Sequence, residues 1–166
     1  MDDRESASVP APLGATHVTM TVARGKACEN EQFGLGAAAY YRRVVEDFVR
    51  NKLDEKESQL ARQAQADFKA AADQLRREWS GNAAIELIKD DLPAETRPGG
   101  HNPLSVLYSD LSRALHTESE EACAETAGTS RPLLEGFFLQ LERARESAAF
   151  AKRVAGAAGR SGKTRD

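Results

Sequence analysis

Apolar residues recur at intervals of three and four along most of the chain, and this is the period of an amphipathic α-helix. The pattern is clearest between residues 101 and 121, where two stripes run side by side. The apolar stripe consists of Leu104, Leu107, Tyr108, Leu111 and Leu115. The polar stripe consists of Ser105, Ser109, Ser112 and His116. Asn102 followed by Pro103 predicts the capped start of this helix.

The same period predicts helices on both sides of this segment. One apolar face begins at Ala38 and continues to Val49, with Arg42–Glu46 and Arg43–Asp47 spaced for ion pairs on the other side. A single helix from Ala37 to Trp79 would be about 64 Å long, so we expect a break between Lys52 and Ser58. Thr117 and Glu120 have the spacing of a capping box for a last helix. That helix is expected to reach about Ala155, with a break or kink at Gly128 and Pro132.

Residues 17–22, HVTMTV, alternate between apolar and polar and are rich in β-branched side chains, which predicts a short N-terminal strand. The predicted fold class is all-α, a bundle of four to five helices with this strand as an optional addition. Residues 16–155 are expected to form one domain. Residues 1–15 and the basic segment 156–166 are expected to be disordered tails.

Composition narrows the class of protein. The 166 residues include only 6% aromatic side chains, and the net charge of −3 gives no overall basic field for nucleic acid or an anionic membrane. The first residues lack the apolar core of a signal peptide, and no apolar run reaches the roughly 18 residues of a membrane span. We therefore expect a cytoplasmic protein without membrane contact. Cys28 and Cys123 form no metal-binding motif, so neither metal nor cofactor is expected.

The polar stripe also has a catalytic interpretation. His116 suits a general base near neutral pH, and Arg113, one turn earlier, suits a phosphate ligand in metal-independent RNA cleavage. In the competing interpretation the serines bond back to carbonyl groups and His116 caps the helix end. We further expect a buried polar cluster in which the stripe meets the helix that begins near Ala38. Its members would be Arg42, Arg43, Glu46, Ser109 and Ser112.

Two glycine-containing segments resemble phosphate-binding loops. Gly34-Leu35-Gly36 lies at a helix start, where free amides hold anions, but close helix packing explains the same glycines. Residues 157–164 fit a loose phosphate-loop pattern with alanine at the first glycine position. Since a helix and not a strand precedes that segment, nucleotide hydrolysis is not expected there.

Residues 33–46, FGLGAAAYYRRVVE, and 102–123, NPLSVLYSDLSRALHTESEEAC, resemble a bacterial family of no assigned activity. Its pattern is a GIGA-aromatic-YRR-hydrophobic-E helix, followed by an Asn-capped helix that ends LS-x-x-hydrophobic-H. The helix order is also similar to the HEPN fold of prokaryotic toxins and defence proteins. That resemblance implies a dimer and, in active members, RNA cleavage by Arg, four to six residues, then His. Here only two residues separate Arg113 from His116, and three separate Arg97 from His101.

The leading hypothesis is a helical, dimeric interaction or regulatory module of a bacterial cell, in a defence or toxin-related setting, with a homodimer and a protein partner. A thin face of Ala144, Ala148 and Ala151 would allow close helix approach across the dimer. The alternative is a metal-independent endoribonuclease that binds RNA and uses His116 with Arg113 or Arg43. A third hypothesis, a sensor of a small ligand or nucleotide, uses the same polar patch.

Overall fold

The computed structural model describes residues 13–60, 62–117 and 119–161. Within these ranges it contains six α-helices and no strand, so the all-α prediction is confirmed, with one helix more than expected. The helices are α1 (Leu13–Asn30), α2 (Gly34–Gln59), α3 (Arg62–Arg77), α4 (Gly81–Ile88), α5 (Pro103–Thr117) and α6 (Glu120–Ser161). Three short 3₁₀ turns, Lys89–Asp91, Ala94–Thr96 and Pro98–Gly100, connect α4 to α5.

The predicted strand at residues 17–22 is wrong, because this segment lies inside α1. Its alternation also fits a helix, since Val18 and Val22 are four residues apart and pack together against the core. The hydroxyl of Thr21 donates a 2.9 Å hydrogen bond to the carbonyl of His17, one turn earlier. This bond gives the hydroxyl of the β-branched Thr21 a partner within the helix.

The predicted break between Lys52 and Ser58 occurs slightly later. The helix α2 continues to Gln59, and Leu60 takes an extended conformation with φ −78° and ψ 145°. Tertiary contacts hold the last turns of α2 in place, because Leu53 is buried and Lys56 Nζ donates a 2.7 Å hydrogen bond to the carbonyl of Leu87. Helix α3 then begins at Arg62.

The predicted break in the last helix is also wrong, because α6 is continuous through Gly128 and Pro132. Pro132 lies on the exposed side, where its ring does not enter the core. The start of α6 is capped by Ser119, whose Oγ accepts a 3.3 Å hydrogen bond from the amide of Ala122, whereas Thr117 is the last residue of α5.

The first and last helices extend beyond the predicted limits of the helical segment. Helix α6 runs past residue 155 to Ser161, in keeping with the high helix propensity of its alanines. Helix α1 begins at Leu13, inside the expected N-terminal tail. Residues 1–12 and 162–166, on which the rest of the tail predictions fall, lie outside the described residues.

Helix α2 lies at the centre of the fold and contacts α1, α3, α4, α5 and α6. Its buried side runs from Gly34 to Leu53. The rings of Phe48, Phe137 and Phe138 form an edge-to-face cluster with centroids 5.3 to 5.5 Å apart, which joins α2 to α6. On α5, Leu104, Leu107 and Leu111 are buried, so the apolar stripe predicted for this helix is confirmed as part of the core.

Candidate functional site

The polar stripe of α5 does not converge on one site. Ser109, Arg113 and His116 are exposed, and the guanidinium of Arg113 donates a 3.2 Å hydrogen bond to Asp110 on the same helix. The hydroxyl of Ser112 is buried, and no described residue forms a hydrogen bond with it. In the described ranges no hydrogen bond or ion pair joins His116 to Arg42, Arg43 or Arg113. The pairing of His116 with an arginine as an acid–base and phosphate-binding set therefore stays a prediction.

Arg42, which is paired with Glu46, does form a polar contact with α5, but through Tyr108 and not through the serines. Arg42 Nε donates a 3.0 Å hydrogen bond to Glu46 Oε1, and Arg42 Nη2 lies 3.5 Å from the Tyr108 hydroxyl. The guanidinium also lies 5.3 Å from the centroid of the Tyr108 ring, within the range of a cation–π interaction. Tyr108 belongs to the predicted apolar stripe, and its hydroxyl is the feature of the sequence that indicates such a contact.

Arg43 faces α1 instead of α5. Its Nε donates a 2.9 Å hydrogen bond to Asp47 Oδ2, and the Nε2 of His17 lies 3.0 Å from the same oxygen. Arg50 Nη1 is 3.9 Å from the other oxygen of Asp47. The half-buried carboxylate of Asp47 thus joins α1 to α2. The three members of the expected cluster that lie on α2 are divided between two faces of this helix.

A second polar group, which the sequence did not indicate, joins three helices. The hydroxyl of the buried Tyr41 on α2 donates a 2.6 Å hydrogen bond to Glu29 Oε2 on α1. Arg131 Nε on α6 donates a 2.8 Å hydrogen bond to the same oxygen. Burial raises the pKa of Tyr41 above its ordinary value, and the hydrogen bond to Glu29 raises it further. These contacts position α1 against α2 and α6.

The glycine-containing start of α2 is closed by the protein itself. A Cβ on Gly34 would lie 2.3 Å from the backbone nitrogen of Ala124, so α2 and α6 approach here more closely than any side chain allows. The amide of Leu35 donates a 3.2 Å hydrogen bond to Glu120 Oε1. Because this carboxylate already occupies a free amide of the helix start, the geometry fits the close-packing interpretation and not a phosphate site.

A groove of about 650 Å³ lies between α1, α2 and α6. Its apolar surface comes from Val18, Phe48, Phe138 and Leu141. Its polar edge carries both signs of charge, from Lys52, Asp54, Glu55, Glu142 and Arg145. The volume suits a small ligand, but the mixed charges do not select one chemical class.

The second half of α6 leaves the helical bundle. We call residues 142–161 the arm, whose side chains are exposed from Glu142 to Ala158 except for the half-buried Ala144. Large exposed hydrophobic side chains are unusually frequent on α6. They are Leu133 (38% exposed), Leu139 (51%), Phe150 (67%) and Val154 (51%).

Several of these side chains share one face of α6, turned away from the core. At about 100° per residue, they fall within an arc of about 80°, together with small neighbours and one arginine. We call this face the exposed stripe, and it consists of Gly136, Leu139, Arg143, Ser147, Phe150, Val154 and Ala157. The buried side of the same helix carries Leu134, Phe137 and Leu141. Helix α6 therefore presents apolar side chains in two directions, and the bundle covers only one of them.

Comparison with models of protein families, with curated protein sequences and with solved structures finds no match for this chain. The described residues contain no group of three histidine, cysteine or acidic side chains placed to hold a metal ion. None of the helices in the described ranges is long and apolar enough to span a membrane.

Proposed function

We propose that this protein is a helical interaction module that forms a homodimer and binds a protein partner in a bacterial cell. The observation that carries the proposal is the exposed stripe of α6, where Phe150 is 67% exposed. Apolar side chains that share one exposed face mark protein contacts more often than scattered ones do. The resemblance of residues 33–46 and 102–123 to a bacterial family, and of the helix order to HEPN proteins, supports the dimer and a defence or toxin-related setting.

The apolar side chains of the stripe give association a driving force. Full burial of a leucine, valine or phenylalanine side chain contributes about 1.5–3 kcal/mol. Leu139 and Val154 are each 51% exposed, so burial of the exposed half of each side chain contributes about 1 kcal/mol. The same gains occur on both copies of a dimer. Weak association that depends on concentration is therefore expected, because the entropy lost on binding offsets much of this gain.

Light scattering at concentrations from about 1 to 200 µM tests the proposal. The expected mass at the upper end is twice the 18.0 kDa of one chain, falling towards a single chain on dilution. A constant single-chain mass over the whole range would contradict self-association.

The endoribonuclease alternative has weaker support, because Arg113 is hydrogen-bonded to Asp110 and Arg43 to Asp47. The test is incubation of the pure protein with mixed RNA in EDTA, next to the His116→Ala variant. We expect no cleavage by either protein. Cleavage that disappears in the variant would replace the interaction module with a ribonuclease.

A further inference from the structure

We infer that α6 pairs with α6 of a second copy in antiparallel orientation, along the exposed stripe, with the two-fold axis between Ser147 and Ala148. This inference rests on the proposed function, because it specifies the interface of the homodimer. It follows from three properties of the stripe: the order of large and small side chains, the charges at its edge, and its dimensions.

Large and small side chains follow the order that an antiparallel pair requires. Ser147 of each copy lies beside the axis, where two small side chains allow the helices to approach closely. About this axis, Phe150 of one copy packs between Arg143 and Ser147 of the other. Leu139 of one copy lies between Val154 and Ala157 of the other. Each large side chain thus enters a gap between stripe residues of the other copy, as in the interlocking of packed helices.

The charges at one edge of the stripe favour the antiparallel orientation. Glu142, Glu146 and Arg153 lie along this edge, are all exposed and, among the described residues, form no ion pair within their own chain. In an antiparallel pair equivalent edges meet, and the proposed axis places Glu142 of each copy opposite Arg153 of the other, so the pair occurs twice. In a parallel pair this edge would instead face the uncharged edge that carries Gln140 and Ala151.

Two members of the stripe, Arg143 and Ser147, are polar. An arginine is compatible with the interface because its long stem covers apolar surface while its guanidinium reaches the edge. Arginine is one of the residues that protein interfaces favour. The serine is compatible because a helical serine can donate its hydroxyl hydrogen to a backbone carbonyl one turn earlier. Neither residue therefore requires a polar partner on the other copy.

An anionic membrane is the other surface that an amphipathic helix can cover, and such helices carry an excess of lysine and arginine on the polar face. The arm carries more basic than acidic residues, so its net charge does not decide between the two occupants. The placement of the acidic residues does decide, because Glu142 and Glu146 lie at the edge of the stripe, where anionic lipid would repel them. An antiparallel second copy instead brings Arg153 to Glu142 and is therefore the occupant that the charges favour.

The dimensions of the stripe set the expected affinity. From Gly136 to Ala157 it is about 33 Å long at 1.5 Å per residue, and a helix presents a width of about 10 Å. The projected area is therefore about 330 Å² per copy, well below the roughly 800 Å² per partner of a standard interface. A weak dimer is therefore expected, as for other small interfaces.

The first test changes the centre of the stripe. Phe150→Glu places a charge at the contact and is expected to raise the dimer dissociation constant at least tenfold in sedimentation equilibrium. The matched control is Val106→Glu on α5, since Val106 is 46% exposed and lies outside the stripe. The control is expected to leave the dissociation constant unchanged. Circular dichroism checks that both variants retain their helices.

The second test fixes the orientation. Glu142→Arg and Arg153→Glu are each expected to weaken the dimer about threefold to tenfold at low salt, since exposed ion pairs are individually weak. The double variant is expected to restore the dimer, because each new arginine again meets a glutamate across the axis. A double variant that is weaker than both single variants would overturn the antiparallel arrangement.

The outcomes separate this inference from the proposed function. If the protein dimerises but Phe150→Glu has no effect, the α6 interface is refuted and the homodimer stands. If the protein remains monomeric at about 200 µM, both are refuted. Binding of the monomer to anionic lipid vesicles, lost in Phe150→Glu, would overturn the inference in favour of a membrane surface.

Discussion

Replacing Tyr41 with phenylalanine tests whether the polar group between α1, α2 and α6 stabilises the fold. Tyr41 is fully buried, and its hydroxyl donates a 2.6 Å hydrogen bond to Glu29 Oε2. Phenylalanine keeps the ring, against which Gly25 packs so closely that a Cβ there would lie 2.3 Å from Tyr41 Cε1. The substitution therefore removes one hydrogen bond and leaves the packing of α1 on α2 intact.

The expected cost follows from the state of Glu29. A hydrogen bond to a charged group contributes about 1.5–3 kcal/mol. Glu29 remains bonded to Arg131 at 2.8 Å and its side chain is 17% exposed, so the carboxylate is not left without a partner. The lower part of the range, about 1.5–2 kcal/mol, is therefore expected. In a domain of this size that corresponds to a fall in Tm of about 3–8 °C.

The dependence on pH gives a second signature. Burial, and then the bond to Glu29, raise the pKa of Tyr41, so the folded protein favours the protonated phenol. Its contribution to the free energy of unfolding is complete below the unfolded phenol pKa of about 10 and decreases as the pH rises above it. The stability difference between wild type and Tyr41→Phe is thus expected to shrink above about pH 10.

Urea unfolding followed by circular dichroism at neutral and alkaline pH measures both effects. Tyr40→Phe is the matched control, because Tyr40 is the neighbouring residue, is only half-buried, and has no hydroxyl hydrogen bond to a described residue. It is expected to change the free energy of unfolding by less than about 0.5 kcal/mol. The reasoning is refuted if Tyr41→Phe matches this control, or if its effect does not decrease at alkaline pH.

Three further variants test the helix contacts by urea unfolding at low micromolar concentration. Gly34→Ala is expected to cost about 3 kcal/mol or more, since its Cβ would lie 2.3 Å from the backbone nitrogen of Ala124. Gly136→Ala is expected to stabilise α6 by about 0.5–1 kcal/mol, because its Cβ has no neighbour within 4 Å. Equal effects at the two glycines would contradict this contrast. Ser119→Ala is expected to cost about 1 kcal/mol, and no change would exclude Ser119 as the α6 cap.

Features that depend on neighbours within one helical turn could be predicted from the sequence. The spacing of Leu104, Leu107 and Leu111 identified a buried face. Asn102 caps α5 as expected, with its Oδ1 accepting a 3.1 Å hydrogen bond from the amide of Leu104. Periodicity gave the wrong prediction at residues 17–22, because a segment that alternates can also place apolar side chains four residues apart, as Val18 and Val22 do.

The candidate site could be predicted only as far as one helix determines it. The pairing of Arg42 with Glu46 and of Arg43 with Asp47 follows from their spacing of four residues. Which helix each arginine faces depends on the packing of α2, and periodicity does not contain that information. The bond between Glu29 and Arg131 joins residues 102 positions apart, so no local pattern indicates it.

Neither core packing nor helix stability explains the apolar residues at the end of the exposed stripe. The buried face of α6 carries Leu134, Phe137 and Leu141. At the same spacing, the next positions on this face are Ala144 and Ala148, where the bundle ends and no core remains to be filled. Alanine keeps such a segment helical by propensity alone. Phe150 and Val154 have lower helix propensity and lie on a different face, so neither the core nor the helix requires them. The proposed antiparallel pair gives these side chains a contact and accounts for their presence in the arm.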